Sequence, residues 1–368
     1  MLTFQQIMPA FWSAIIGLIG VLLLTPLVRQ AAIRANVLDR PSLPRKIHRA
    51  PTPLLGGLAI FGALVIAILV ALHFGWLPGP HIKEKYLVGM VIAAAVIIFG
   101  GALDDALNLK PGFQVIWPIA ASLIVIASGI GVNVVTNPAG GYFHLDRYVF
   151  TVLWWQGIPY KFTLVADLFT IVWLLGMSYT TKFLDGLDGL VAGVTTIGAL
   201  VLAAVSLMKE VSQPDTAVLA LMLAGACLGF LVFNTHPAKI FLGEGGSIIC
   251  GFLLGVLAII SGGKIATALL ALGLPIFDTA FVIVRRLWNR RPVTAADRSH
   301  LHFRLLDAGF TQRQTVMIYY FFAALFGVST LILRGWQKIA ALGLLLSILV
   351  FGVAIAVRLA GKLDKPRP

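Results

Sequence analysis

Carboxylates at the ends of apolar stretches are the residues of this 368-residue chain that most clearly suggest chemistry. Asp104 and Asp105 are adjacent, and Asp185 and Asp188 stand three residues apart in an Asp-Gly-Leu-Asp-Gly motif. A charged side chain at a membrane boundary is costly and is usually functional. Carboxylates at this spacing beside glycines suit Mg²⁺, which completes its shell with water and substrate phosphate. A solvated helix end would also explain the first pair, but the second motif favours a phosphate-bound Mg²⁺ site over a purely structural role.

Two more acidic residues lie in or beside apolar stretches. Glu244 belongs to Phe241-Leu-Gly-Glu-Gly-Gly-Ser, whose glycines precede an apolar helix and could present backbone N–H groups to phosphate; a tight turn between helices is the alternative. Asp278 follows Pro275 inside an apolar stretch, where a carboxylate needs a partner. Metal ligation and pairing with an arginine such as Arg285 are the alternatives for Asp278, and we favour metal ligation.

Basic and histidine side chains cluster in one later segment, Asp297-Arg-Ser-His-Leu-His-Phe-Arg. Arginine binds phosphate through two parallel hydrogen bonds, and the neighbouring histidines add further donors. Zinc is the rival ligand for His300 and His302, but the sequence has no matching cysteine or third histidine nearby. We therefore expect His300, His302 and Arg304 to bind a pyrophosphate group.

The elements that must position these groups are membrane helices. Hydrophobic residues make up 59% of the chain and charged residues 12%, and a helix needs about 20 apolar residues to cross a bilayer. Residues 1–10 contain no Lys or Arg, so the first apolar stretch is expected to be a retained helix rather than a cleaved signal peptide. We predict an all-α polytopic integral membrane protein with about 11 transmembrane helices in a single membrane-embedded domain, 1–368. The helix centres are expected near residues 18, 63, 95, 121, 172, 199, 225, 254, 275, 324 and 348.

The placement of the basic residues predicts which helix ends face the cytoplasm. If the N-terminus is external and the crossings alternate, 20 of the 28 Lys and Arg residues fall on the internal side. This is the positive-inside pattern, so the net charge of +13 reflects topology rather than nucleic-acid binding, and the C-terminus is cytoplasmic. Nearly every polar group of chemical interest falls in one of five internal segments. These are 29–53, 104–112, 182–189, 234–247 and 286–313.

Two further features are expected to be structural. Cys227 and Cys250 both lie in apolar stretches, where packing is the favoured role and neither a disulfide framework nor a cysteine-metal site is implied. The long external stretch 132–162 suits turns and short extended segments, and we favour a structural cap over a binding role.

Six motifs occur in an order that resembles one enzyme family. They are Asp39-Arg-Pro with Arg45-Lys46-Ile-His48, Asp104-Asp105, Asp185-Gly-Leu-Asp188-Gly, Phe241-Leu-Gly-Glu244, Pro275-Ile-Phe-Asp278 and His300-Leu-His302-Phe-Arg304. From about residue 35 to 320, the chain resembles the polyprenyl-phosphate N-acetylhexosamine-1-phosphate transferases. The last motif looks more like the branch that transfers GlcNAc 1-phosphate than the phospho-MurNAc-pentapeptide translocase branch.

The resemblance implies a reaction and its partners. A UDP-N-acetylhexosamine, UDP-GlcNAc in this branch, is the donor, undecaprenyl phosphate the acceptor and UMP the leaving group, with Mg²⁺ or, in its place, Mn²⁺ as cofactor. The product is the first lipid-linked intermediate of a cell-surface glycan. The resemblance also implies a multi-pass protein of the inner (plasma) membrane, among membrane lipids, with its active site facing the cytoplasm; a homodimer is one assembly it allows. Translocase-type activity is the alternative within the family, and a transporter or an inactive scaffold the alternative outside it.

Residue roles follow from the same resemblance. Asp188 and Asp278 are implied as Mg²⁺ ligands, and Asp104, Asp105 and Asp185 as catalytic residues, with one of the adjacent pair activating the lipid phosphate or supporting the metal. Substrate binding is assigned to a larger set. Its members are Lys46, His48, Lys182, Glu244, His300, His302 and Arg304. Direct attack by the lipid phosphate is favoured, and a covalent aspartyl-phosphate route stays open.

Four residues depart from the usual pattern of that family. Gln114 stands where Lys is usual, Lys182 where Asn is usual, Glu244 where Asp is usual, and Phe303 replaces the last His. We hypothesise that Lys182 supplies, from another loop, the cation that Gln114 does not.

Overall fold

The computed structural model describes residues 4–41, 50–137, 141–155, 158–262, 265–290, 292 and 300–348. Within these residues the chain is mainly helical, in agreement with the predicted fold class. The helices are α1 (Phe4–Arg34), α2 (Gly56–His73), α3 (Glu84–Leu107), α4 (Pro111–Gln114), α5 (Ile116–Ala127), α6 (Leu164–Leu184), α7 (Leu190–Leu207), α8 (Pro214–Asn234), α9 (Gly243–Ile260), α10 (Ile265–Ala271), α11 (Gly273–Trp288), α12 (Leu301–Asp307), α13 (Gln312–Ser329) and α14 (Trp336–Ile348).

Among the described residues, seven helices are long and apolar enough to cross a membrane. These are α1, α2, α3, α6, α7, α8 and α9, and the bent pair α10–α11 adds an eighth if it forms one span. A polytopic membrane protein is thereby confirmed. The expected positions near residues 121, 324 and 348 hold α5, α13 and α14, which are shorter or less apolar. The number of eleven crossings and the orientation in the membrane stay predictions.

In the part of the chain that the structure describes, three two-stranded antiparallel sheets interrupt the helical pattern. Their strands pair as β1 (Leu38–Asp39) with β2 (Thr52–Pro53), β3 (Val134–Thr136) with β4 (Tyr142–His144), and β5 (Val149–Trp155) with β6 (Ile158–Thr163). The last pair has a register irregularity between Thr151 and Leu153. Four of the six strands lie in the stretch 132–163, so the short extended segments expected there are present.

Glycines bring α2, α3 and α9 into backbone contact at one end of the molecule. A Cβ at Gly57 would overlap the backbone of Gly246, and a Cβ at Gly101 would overlap the backbone of Gly245. The Gly57 N–H also donates to the carbonyl of Leu242 at 2.8 Å. Since α3 ends and α9 begins here, this contact draws the acidic pair of α3 to the glycine loop of α9; we call this end the site end.

The chain bends by 82° between α10 and α11. The break is at Leu272, and Pro275 lies in the first turn of α11, where its missing N–H removes no helical hydrogen bond. The bend therefore lies just before the proline. Asp278 follows within the next turn of α11 and is buried, with 4% of its surface exposed.

Candidate active site

The two adjacent carboxylates of α3 have different partners. Asp104 Oδ1 accepts hydrogen bonds from the Leu109 N–H at 2.8 Å and from Gln114 Nε2 at 3.0 Å. Asp105 instead accepts from the Glu244 N–H, at 3.0 Å and 3.2 Å to its two oxygens. Asp105 thus lies at the N-terminus of α9, where the helix dipole favours an anion. One carboxylate is held by the chain that follows α3, and the other joins α3 to α9.

A cation lies between the glycine loop and the segment after the acidic pair. Lys182 Nζ forms an ion pair with Glu244 Oε1 and donates to Gln114 Oε1 at 2.8 Å. Both side chains of the ion pair are largely buried, with 17% and 16% exposed. Because the Gln114 amide also donates to Asp104, an unbroken polar chain runs from Asp104 through Gln114 and Lys182 to Glu244. Lys182 also lies over the ring of Tyr179, with Nζ 5.3 Å from its centroid.

The acidic loop, residues 185–189, connects α6 to α7 at the site end. Asp188 Oδ2 accepts from the Ala238 N–H at 3.1 Å and lies 2.7 Å from His236 Nδ1. Asp185 is open to solvent on one side. Burial among protein atoms on its other sides, and after it the negative charges of Glu244, Asp105 and Asp188, raise the pKa of the Asp185 carboxyl above its usual range. The loop therefore presents one anchored carboxylate, that of Asp188, and one carboxyl, that of Asp185, whose surroundings favour the neutral form.

Asn234 fixes the end of the acidic loop. Its Oδ1 accepts from the Gly189 N–H at 3.1 Å, and its Nδ2 donates to the Ile240 carbonyl at 3.0 Å. Gly189 has a φ of +82°, a conformation that glycine adopts without steric cost. Asn234 and His236 were not singled out by sequence reasoning. Their position in the internal segment that leads to the glycine loop is the signal that could have identified them.

The basic segment packs against both acidic regions. His300 Nδ1 lies 3.0 Å from Asp278 Oδ2, and the Leu301 N–H donates to Asp278 Oδ1 at 2.8 Å. The His302 ring stacks on the His300 ring, with centroids 5.5 Å apart and an interplanar angle of 13°. A Cβ at Gly186 would come within 2.5 Å of His302 Nε2, so the absence of a side chain there lets this ring lie against the acidic loop. The histidines therefore connect α11 to the acidic loop.

The structure brings most of the predicted site residues together. Asp104, Asp105, Lys182 and Glu244 form one connected group. Asp185 and Asp188 lie on the adjoining acidic loop, next to His302. Asp278 is buried and its two oxygens are engaged by His300 and Leu301, so its role as a metal ligand stays a prediction. The Arg304 guanidinium lies over the Phe281 ring, 5.4 Å from its centroid. Lys46 and His48 lie outside the described residues.

Comparison with known proteins identifies relatives over most of the chain. Residues 87–262 match the family model described as glycosyl transferase family 4. A probable undecaprenyl-phosphate N-acetylglucosaminyl 1-phosphate transferase of Bacillus subtilis (strain 168) is 31% identical over 348 residues, which cover 93% of this chain and 90% of the relative. A decaprenyl-phosphate N-acetylglucosaminephosphotransferase of Mycobacterium tuberculosis (strain ATCC 25618 / H37Rv) is 31% identical, covering 92% of this chain and 86% of the relative.

A third relative represents the alternative branch. The phospho-N-acetylmuramoyl-pentapeptide-transferase of Desulforudis audaxviator (strain MP104C) is 27% identical over 75% of this chain and 82% of its own length. Two of these relatives are 31% identical to the chain over nearly its whole length, and all three are named as transferases. This similarity identifies the family. The chain belongs to glycosyl transferase family 4 and is a membrane-embedded phosphoglycosyltransferase.

Proposed function

We propose that the protein transfers GlcNAc 1-phosphate from UDP-GlcNAc to undecaprenyl phosphate and releases UMP, at the cytoplasmic face of the inner (plasma) membrane. The observation that carries this proposal is the meeting of carboxylates from α3, α9 and the acidic loop with Lys182 and the basic segment at one helix end. A membrane-bound acceptor phosphate and a water-soluble nucleotide sugar can meet only at such a boundary. The names of the two relatives at 31% identity support GlcNAc as the sugar and a polyprenyl phosphate as the acceptor.

In the proposed reaction, an oxygen of the lipid phosphate bonds to the sugar-bearing phosphorus of the donor. The bond from that phosphorus to the bridging oxygen breaks, and the electron pair leaves with UMP. Lys182 lies where it can stabilise negative charge that develops on the diphosphate, because Glu244 and Gln114 hold its ammonium group among the acidic residues of the site end. His302 and Arg304 would bind the diphosphate from the side of the basic segment. Asp104 or Asp105 would activate the lipid phosphate or support the metal.

Magnesium fits the chemistry of the acidic loop. Asp185 is exposed at the site end, and a bound cation there would offset the burial and the negative charges of Glu244, Asp105 and Asp188 that raise the pKa of its carboxyl. Within the described residues, no three His, Cys, Asp or Glu side chains stand in metal-binding geometry. One or two carboxylates with water and substrate phosphate are the usual Mg²⁺ shell, so Asp185 and Asp188 would hold the ion. A bound Mg²⁺ would neutralise negative charge on the diphosphate and on the leaving UMP. Asp278 is better suited to orienting His300, since both of its oxygens are already engaged.

The proposal is tested by UMP release from purified protein supplied with undecaprenyl phosphate, Mg²⁺ and a panel of UDP-sugars. We expect release with UDP-GlcNAc, loss of release with EDTA, and recovery with Mg²⁺ or Mn²⁺. Asp185→Asn should remove most of the activity, whereas Asp146→Asn, in the stretch between β4 and β5 away from the site end, should not. No release with any sugar would defeat the proposal, and release only with UDP-MurNAc-pentapeptide would assign the chain to the translocase branch.

A further inference from the structure

The acidic loop has an anchor on α13 that the reaction proposed above does not use. The hydroxyl of Tyr320 donates to the Gly189 carbonyl at 2.6 Å. The same carbonyl accepts the Gly193 N–H at 3.0 Å, the first hydrogen bond of α7. The helical hydrogen bond already satisfies this carbonyl, and the second lone pair of its oxygen can accept the additional bond from Tyr320. The hydroxyl of Tyr320 is therefore an additional contact, made at the residue that follows Asp188.

The ring of Tyr320 packs closely against Gly193 in the first turn of α7. A Cβ at Gly193 would overlap the ring carbons and the hydroxyl oxygen, so the glycine is what allows the ring to lie against the first turn of α7. Tyr320 is thus held between the start of α7 and the end of the acidic loop. A tyrosine fixed at its ring and at its hydroxyl has little freedom to follow a displaced loop.

The helix that carries Tyr320 is also the helix that continues from the basic segment. α12 contains His302 and Arg304, and α13 begins five residues after α12 ends. Arg313, in the first turn of α13, donates to the His236 carbonyl at 3.0 Å, and His236 Nδ1 in turn lies beside Asp188. α13 therefore contacts the surroundings of Asp188 at two points, one of which is the Tyr320 hydroxyl.

We propose that Tyr320 is a positioning residue: its hydroxyl fixes the acidic loop to α13 and thereby sets the separation between the carboxylates and the basic segment. The consequence for turnover rests on the proposed function, whereas the anchoring of the loop does not. Displacement of reacting groups by about 1 Å can cost about a hundredfold in rate. A single missing hydroxyl here should therefore act on kcat far more than on folding.

The test removes the hydroxyl and keeps the ring. In Tyr320→Phe we expect kcat for UMP release to fall by about tenfold to a hundredfold, with KM for UDP-GlcNAc changed by less than about twofold. Amide hydrogens of residues 189–193 should exchange faster, as measured by mass spectrometry without any substrate. Tyr86→Phe is the matched control, because Tyr86 is also partly buried but lies at the opposite end of α3. It should leave kcat and exchange unchanged, and both variants should unfold at the wild-type temperature.

A second variant reaches the same contact from the other side. Gly193→Ala should displace the Tyr320 ring and lower kcat in the same direction, and the double variant should add little to either single change, because both remove one contact. Wild-type kcat in Tyr320→Phe, with or without faster exchange, would overturn the positioning role. If the wild-type protein releases no UMP with any sugar, the proposed function fails, and unchanged exchange in Tyr320→Phe would then overturn the anchoring as well.

Discussion

At the residue scale, the site is organised around one buried ion pair. Lys182 and Glu244, both interpreted from the sequence as departures from the family pattern, contact each other directly. Gln114, a third departure, accepts from the same ammonium group. The three departures therefore belong to one connected group rather than to three separate positions. This geometry supports the hypothesis that Lys182 brings the cation that Gln114 lacks.

Lys182→Ala is expected to lower kcat by at least about a hundredfold, because a positioned cation that stabilises developing charge contributes on that order. UMP release measures the loss. The control is Lys209→Ala, since Lys209 is exposed in the turn between α7 and α8, at the far end of the molecule. Near-normal turnover in Lys182→Ala would refute the assigned role.

Removing Lys182 also leaves Glu244 without its cation in a largely buried position, and such a loss destabilises the folded state. The double variant Lys182→Ala/Glu244→Gln removes this unpaired charge. We expect it to recover the wild-type unfolding temperature but not the activity. Recovery of both would mean that Lys182 matters only for folding.

Gln114→Leu is expected to lower kcat by about tenfold, less than Lys182→Ala, because a hydrogen bond to a charged group contributes about 1.5–3 kcal/mol. Asp104 keeps the Leu109 N–H as a donor, and Lys182 keeps Glu244 as a partner. Measuring kcat for Gln114→Leu and Lys182→Ala under the same conditions shows which substitution is more damaging. A Gln114 variant as damaged as the Lys182 variant would show that the amide, not the ammonium group, is the critical member of the chain.

Sequence reasoning identified the charged members of the site but not all of their partners. Asp104, Asp105, Asp185 and Glu244 stand out because a carboxylate at an apolar boundary is costly. Asn234, His236 and Tyr320 have no such signature, since each is an ordinary residue type for its place in the sequence. Their roles arise from contacts between loops far apart in the chain, which no local pattern encodes.

At the element scale, glycine contacts determine where the acidic residues meet. α3 and α9 approach so closely that a Cβ at Gly101 would overlap the backbone of Gly245, and a Cβ at Gly245 would lie 3.2 Å from Ile98 Cα. The crossing places Asp105 at the N-terminus of α9, four residues beyond Gly101. The existence of these helices could be predicted from apolar length, but their crossing could not, because glycines also occur in this chain's membrane helices where nothing packs against them, as at Gly176.

Gly101→Ala is expected to destabilise the protein by about 1–3 kcal/mol or more, the usual cost of overpacking, and to lower kcat by moving Asp105 relative to Glu244. Thermal unfolding in detergent and UMP release measure the two effects. Gly176→Ala is the matched control: Gly176 also lies within a membrane helix, and a Cβ there would meet no atom within 4 Å. Equal behaviour of the two variants would contradict the role assigned to the crossing.

At the scale of the whole molecule, the polar groups of the site gather at one end of the helices, and the orientation in the membrane is the open prediction. The number of crossings was harder to predict than their existence. Pro111 and Pro118 divide the region around residue 121 into the short helices α4 and α5, and α10 and α11 are joined by a sharp bend. Hydropathy measures the length of an apolar stretch, but it does not show where the backbone breaks within that stretch. The number of crossings therefore could not be read from the sequence.

Cysteine labelling in intact cells tests the orientation. With the site end in the cytoplasm, Lys209→Cys should react with a membrane-impermeant maleimide, and Lys239→Cys, exposed at the site end, should react only after permeabilisation. The native cysteines, Cys227 and Cys250, are fully buried and should give little background. The reverse labelling pattern would invert the assigned topology.

The glycine crossing also bears on how the protein could escape an inhibitor. Beneath the carboxylates, contact between α2, α3 and α9 is made by main chain at Gly57, Gly101, Gly245 and Gly246. All four glycines are buried, so an inhibitor would contact side chains of the site rather than the crossing itself, and a Cβ at Gly57, Gly101 or Gly246 would come within 2.9 Å of a neighbouring helix. Substitution at the crossing would disturb the helix packing, and Lys182, Gln114 and Arg304 are assigned to turnover, so a compound that contacts these three side chains would leave the enzyme few routes to resistance.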